Sequence, residues 1–119
     1  MNITCITYTE DNTKGLFSVE HYNQQGQVKL CSFRVVYNFQ SETVEQIMVI
    51  SCHKNVILSD IVMKFLFLRD WDSGLREGLE VCVDPARAEN NERIKPQVES
   101  LKNFFYFYFQ EIKSLAHIL

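Results

Sequence analysis

The first half of the chain alternates apolar and polar side chains with a period of two, the spacing of strands that bury one face. Asn2–Tyr8 is β-branched and apolar, and the polar run Glu10-Asp11-Asn12-Thr13 ends it. Within Lys14–Tyr22, Leu16, Ser18, Glu20 and Tyr22 fall on one side, and Phe17, Val19 and His21 on the other. Asn23-Gln24-Gln25-Gly26 predicts a turn, with Gly26 free to take positive φ. Gln27–Phe39 carries the clearest alternation. Cys31, Phe33, Val35, Tyr37 and Phe39 share one face, and Ser32, Arg34 and Asn38 share the other with Leu30 and Val36. One apolar face and one mixed face suit antiparallel pairing. After Gln40-Ser41-Glu42, the run Val44–Cys52 puts Val44, Met48, Ile50 and Cys52 on one side and Ile47 and Val49 on the other. Both sides are apolar, so this strand is expected inside the sheet.

The middle of the chain supports two readings. Ser59-Asp60 could cap a helix in which Ile61, Phe65 and Leu68 share a face. Ile57, Val62, Phe65 and Phe67 favour strand, and the expectation for Val56–Leu68 tilts that way. Arg69–Gly78 reads as a loop or short helical turn, and Leu79–Val83 as a short strand closed by Asp84-Pro85. The C-terminus predicts a long helix. Val98, Leu101, Phe105, Tyr108, Ile112, Leu115 and Leu119 recur at steps of three and four, and Pro96 fits a first-turn position. Glu99 lies near the positive end of its dipole, and Lys113 and His117 near the negative end. The predicted architecture is α+β: an antiparallel sheet of about five to seven strands with one long C-terminal helix packed on it.

Composition narrows the function classes. A chain of 119 residues is expected to be a single domain, 1–119, without repeats. With 46% hydrophobic and 23% charged residues it is an ordinary globule, which excludes disorder. The net charge of −3 comes without a basic stripe, so nucleic acid is not an expected partner. No apolar run reaches the roughly 18 residues of a membrane span, and Met1-Asn2-Ile3-Thr4 shows no export signal. The expected location is the cytoplasm, with reduced thiols. Cys5, Cys31, Cys52 and Cys82 form no C-x-x-C pair, and each sits in an apolar strand pattern. Cys52-His53, even with His21 and His117, lacks the paired spacing of a zinc site. Asp70-Trp71-Asp72 opens like a calcium loop but fails at the later ligand positions. No metal, cofactor or catalytic constellation is expected, and no glycine-rich elbow or phosphate loop is present.

Two features exceed what a fold alone requires. Between Asp60 and Glu92 stand eight acids (60, 70, 72, 77, 80, 84, 89, 92) against four bases (64, 69, 76, 87), a net −4; the remaining seven acids and eight bases leave +1. Trp71, the one tryptophan, lies in this window between Asp70 and Asp72. Trp71 as anchor, with Asp70, Asp72, Glu77 and Glu80 as charged contacts, would suit a basic protein partner. The bland alternative is a solvated loop with the indole folded into the core. Second, Phe104-Phe105-Tyr106-Phe107-Tyr108-Phe109 places aromatics all round one helix, and a single sheet covers one side of it. Phe104, Tyr106, Phe107 and Phe109 are therefore candidates for a further contact surface.

In length, mild acidity, strand-plus-helix order and the Asp70–Glu80 segment, the chain resembles bacterial toxin-immunity proteins of the contact-dependent growth inhibition type. The likeness is one of profile and carries no signature residues. It implies a non-catalytic inhibitor that neutralises a cognate toxin, often a nuclease, by covering its active site, with no cofactor. The chain would act as a monomer or weak homodimer. Two other classes stand beside it: a secretion or assembly chaperone dimerising through the aromatic helix, and a small-ligand-binding or enzymatic α+β domain with a pocket beneath Phe104–Tyr108.

Overall fold

The computed structural model describes residues 1–86 and 91–118. Leu119, Arg87 and Glu89 lie outside the described residues, as do the side chains of Cys5 and His117. Four strands, β1 (Asn2–Tyr8), β2 (Lys14–Tyr22), β3 (Lys29–Asn38) and β4 (Thr43–Cys52), form an antiparallel meander. Three Asx side chains organise its turns. Asp11 Oδ1 accepts hydrogen bonds from the Thr9 hydroxyl, the Thr13 hydroxyl and the Thr13 amide. Asn23 Oδ1 accepts from the amides of Gln27 and Val28, and Asn38 Oδ1 from those of Gln40 and Ser41. Such side chains imitate a backbone turn and leave the chain no reason to continue straight. Gly26 takes the positive φ that its turn requires, at 72°.

The fifth strand, β5 (Glu80–Val83), joins β4 in parallel, giving the order β1-β2-β3-β4-β5 in a sheet that is mostly antiparallel. Parallel neighbours cannot be joined by a hairpin; the chain must cross over a face of the sheet. That crossover contains α1 (Leu58–Leu68), which corrects the strand expected at Val56–Leu68. Leu58, Val62, Phe65 and Leu66 are buried at helical steps. The apolar side is thus one residue away from the Ile61–Phe65–Leu68 face expected for a helix, and Phe67 and Leu68 point to solvent. The β-branched residues carry a local preference, but burial of a helical stripe outweighs a propensity of at most about 1 kcal/mol.

The long helix is α2 (Asn91–Ile118). Pro96 is inside it, beyond the first turn where it was expected. There it removes one i→i−4 hydrogen bond; burial of Ile94, Val98 and Leu101 around it holds the segment helical. Both helices cover the same sheet face. α1 brings Phe65 against Phe33 at 5.9 Å, and α2 lies along β4 and β5. The core between them comprises Phe17, Val19, Cys31, Phe33, Val35, Ile47, Val49 and Val81 from the sheet, with the buried helix positions above it.

In β4 the structure changes the expected faces. Val44, Ile47, Val49 and Cys52 all point to the core. Register shifts opposite Val36/Tyr37 and Ser32/Phe33 leave Glu45 and Ile50 as extra residues, and each bulge resets the parity. Met48 and Ile50 consequently leave the core set and are half-buried. β4 does lie between two neighbours, as its two apolar faces suggested.

Beyond α1, the segment 69–79 turns back over the end of the sheet through a 3-10 turn at Asp72–Gly74. Gly74 is packed against the β3–β4 turn: a Cβ there would meet the Glu42 carbonyl oxygen at 2.5 Å. Backbone cannot swing aside like a side-chain tip, so Gly74→Ala should destabilise by roughly 1–3 kcal/mol in urea unfolding. The Asp11 carboxylate is held down to about 2 by the Thr9 hydroxyl first, then the Thr13 hydroxyl and amide. A depressed folded-state value favours the turn above the ordinary 3.8 and loses that effect as pH falls through about 2. Carboxyl-detected NMR titration should find Asp11 ionised to near pH 2, and a Thr9→Val/Thr13→Val variant should move it back towards 3.8.

Candidate functional site

The segment that carries the excess acid begins with a buried aromatic. Trp71 is 6% exposed. It stacks on Tyr37 with ring centroids 3.9 Å apart and planes 3° from parallel, and meets Phe17 and Phe65 edge-on at 4.9 and 5.6 Å. The Arg69 guanidinium lies 4.9 Å from the Trp71 ring and 5.2 Å from Phe17, closing the cluster from the solvent side by cation–π attraction. The expected partner anchor is thus a core residue, and no face of its ring is left to offer. Trp71 acts instead by fixing its neighbours: Asp70, at φ 57°, and Asp72 stand on either side of a rigid pin.

The acids are dispersed more than their spacing suggests. Asp84 is buried and sits 3.8 Å from Arg34 Nε on the face not covered by helices. Glu80 is exposed on that same face, opposite Gln46. Glu77 is paired with Lys113 of α2. Asp70 is exposed and Asp72 half-buried. The five predicted contact residues therefore divide: Trp71 inside, Glu80 on the far face, and Asp70, Asp72 and Glu77 on the segment beside α2.

That segment meets the aromatic helix. Twenty-eight helical residues extend about 42 Å at 1.5 Å per residue, whereas the ten-residue strands β3 and β4 reach about 34 Å. α2 therefore outruns the sheet. Its core-facing stripe is buried at Val98, Leu101 and Phe105, but Ile112 and Leu115 are 46% and 53% exposed. A groove of about 600 Å³ runs between this overhang and the crossover, lined by Asp72, Leu75, Arg76, Glu77, Tyr108, Phe109, Ile112 and Lys113. A second hollow of about 320 Å³ shares Glu77 and Phe109 with it and adds Leu79, Phe105 and Tyr106. Two surfaces expected separately, the acidic segment and the aromatic helix, are thus one concave site.

Of the aromatic candidates, Phe109 lines both hollows and Tyr106 one of them. Phe104 is half-buried against the core and stacks on Tyr108 at 6.1 Å. Phe107 is 67% exposed and lines neither hollow. Sequence reasoning missed Leu75, Arg76, Ile112 and Lys113 as site residues. Ile112 was detectable in principle, because the apolar stripe is longer than the strands can cover. Arg76, which donates to the carbonyls of Ser73 and Leu75, gave no such signal.

The nucleophiles are placed for packing. Cys31 and Cys52 face each other across β3 and β4 in the core. Burial, with a smaller effect of Cys52, pushes the Cys31 thiol up to about 12; burial also raises Cys52 and Cys82. Thiols so held form little thiolate near neutral pH. His21 is shifted down by desolvation, then by Lys64 and the N-terminal amine, which favours the neutral ring. Among the described residues, no three His, Cys, Asp or Glu side chains converge as a metal site, and no helix is long and apolar enough to cross a membrane. Compared with known proteins, the chain matches no family model, no curated protein and no solved structure.

The division between core and surface is measurable. Trp71→Ala should cost roughly 3–5 kcal/mol of unfolding free energy. Asp70→Asn and Asp72→Asn, which keep the local turn chemistry, should each stay within about 0.5 kcal/mol.

Proposed function

We propose that the protein is a non-catalytic protein-binding inhibitor of the toxin-immunity type, acting in the cytoplasm by covering the active site of a cognate toxin with the groove beside α2. The observation that carries this reading is the exposure of Ile112 and Leu115 on the core-facing side of α2, where Ile112 shares a groove with Asp72 and Glu77. An apolar floor with a charged rim is the composition of a binding patch, with burial supplying affinity and the rim steering encounter. The thiols of Cys31 and Cys52, raised by burial in the core, fit a packing role.

The test is complex formation with the basic protein encoded beside this chain's gene, followed by calorimetry and by inhibition of the toxin's activity. Ile112→Asp should weaken binding at least tenfold, the loss of one apolar contact at a patch centre. Charge reversal of Asp70 and Asp72 together should slow association and reduce its salt dependence. Undiminished affinity in both variants removes the groove from the mechanism.

A second reading, a secretion or assembly chaperone dimerising through α2, draws on the 60% and 67% exposure of Tyr106 and Phe107. Sedimentation separates the two: a stable dimer disrupted by Tyr106→Glu/Phe107→Glu supports the chaperone, and a monomer supports the inhibitor.

A further inference from the structure

A histidine and two cysteines stand in one row across the core face of the sheet. His21 of β2 is the cross-strand partner of Cys31 in β3, and Cys31 is the partner of Cys52 in β4. Direct partners present their side chains on the same face. Here that face lies beneath the helices, where Cys31 is fully buried and Cys52 nearly so.

The register decides how near the two sulfurs come. The His53 amide donates to the Leu30 carbonyl, so ladder bonds flank the Cys31–Cys52 pair and do not join its members. Partners in this non-hydrogen-bonded position have Cα atoms about 4.5 Å apart, the closer of the two antiparallel spacings. A disulfide spans Cα separations of roughly 4.4–6.8 Å. Ser32 and Ser51 continue the same register, and the bulge comes only after them. The pair can therefore close without rebuilding the backbone. Cys52 Sγ otherwise donates to the carbonyls of His53 and Val56, at 3.6 and 3.9 Å.

Packing is the role of the reduced pair, and burial holds it protonated and slow to react. His21 supplies the base that a buried dithiol otherwise lacks. Among the described residues, its Nδ1 is buried with no hydrogen-bond partner. Buried polar atoms in native folds are ordinarily satisfied, and an exception calls for a role. The charged groups that act on His21, Lys64 and the N-terminal amine, are cationic, the sign that favours a thiolate nearby.

We infer that Cys31 and Cys52 form a dithiol that a peroxide oxidises to a disulfide, with His21 as the base for Cys31. The Cys52 sulfur, the outer of the two, attacks a peroxide oxygen. The S–O bond forms, the O–O bond breaks, and the departing oxygen leaves as water with the thiol proton. Cys31, its proton taken by His21, then attacks the Cys52 sulfur. The S–S bond forms, the S–O bond breaks, and the hydroxyl leaves as a second water with the proton from His21. Two thiols lose two electrons, and one hydrogen peroxide becomes two waters. The bond ties the start of β3 to the end of β4, away from the groove beside α2, and does not depend on the function of that groove.

Hydrogen peroxide added without denaturant to the full chain carrying Cys5→Ser/Cys82→Ser tests this. The protein should lose the mass of two hydrogen atoms, yield a linked Cys31–Cys52 peptide on digestion, keep its dispersed amide spectrum and return to the dithiol with dithiothreitol. The unaltered chain, mapped in the same way, should give the same linked peptide. Cys31→Ser should trap Cys52 as a sulfenic acid that dimedone captures, whereas Cys52→Ser should leave Cys31 unlabelled. His21→Gln should slow disulfide formation roughly tenfold or more and leave its equilibrium against a glutathione couple in place, a split that a merely structural role would not give. A linked peptide formed only in urea, a bond between chains, further oxygen on Cys52 in place of the bond, or an unaltered rate in His21→Gln would overturn the proposal.

Discussion

The parallel seating of β5 beside β4 is the constraint on which the rest of the architecture depends. Four strands can follow one another by short turns, but a parallel fifth strand obliges the chain to travel the length of the sheet before it can pair. The crossover fills that distance with α1, which covers half of the core face, and then with the segment that carries the acids. Only after β5 is placed can α2 lie along β4 and β5 and cover the other half. The Trp71–Tyr37 stack joins this path to the sheet: it ties the far end of the crossover to β3 and so fixes where the last part of the chain begins.

From this path follow two chemically unlike ends. At one end, Gly74 rests on the β3–β4 turn, and α2 overshoots the strands beside Asp72 and Glu77. At the other, the start of α2 meets the joined ends of β3 and β4 around Lys29 and Arg93. The Lys113–Glu77 pair ties the overhang to the crossover, yet both partners are more than half exposed. Such a pair contributes little to stability in water, and it leaves the apolar floor between the two elements uncovered.

Much of this was legible in the residues. The meander was readable because Phe17, Val19, Phe33 and Val35 alternate without interruption and because the polar runs at 10–13, 23–26 and 40–42 break the strands apart. The stripe on α2 was readable for the same reason, at a period of 3.6. Val56–Leu68 was not, because a short apolar run fits strand and helix equally well; the parallel pairing that decides between them lies more than ten residues downstream. For Trp71 the residues left partner anchor and core both open, because the partners that bury it, Tyr37, Phe17 and Phe65, come from three other elements. The groove was hidden as a whole: its two walls are some thirty residues apart, and neither announces the other.

The two extra residues of β4 leave a trace in how this strand can vary. With Glu45 and Ile50 set aside, Val44-Gln46-Ile47-Met48-Val49-Ser51-Cys52 is an unbroken alternation in which every inward side chain stays inward. A flat form and a kinked form of the strand are thus separated by single-codon insertions that leave the buried set untouched. A lineage could gain or lose its bends at either end without repacking the interior, and the sheet's curvature can drift independently of its core.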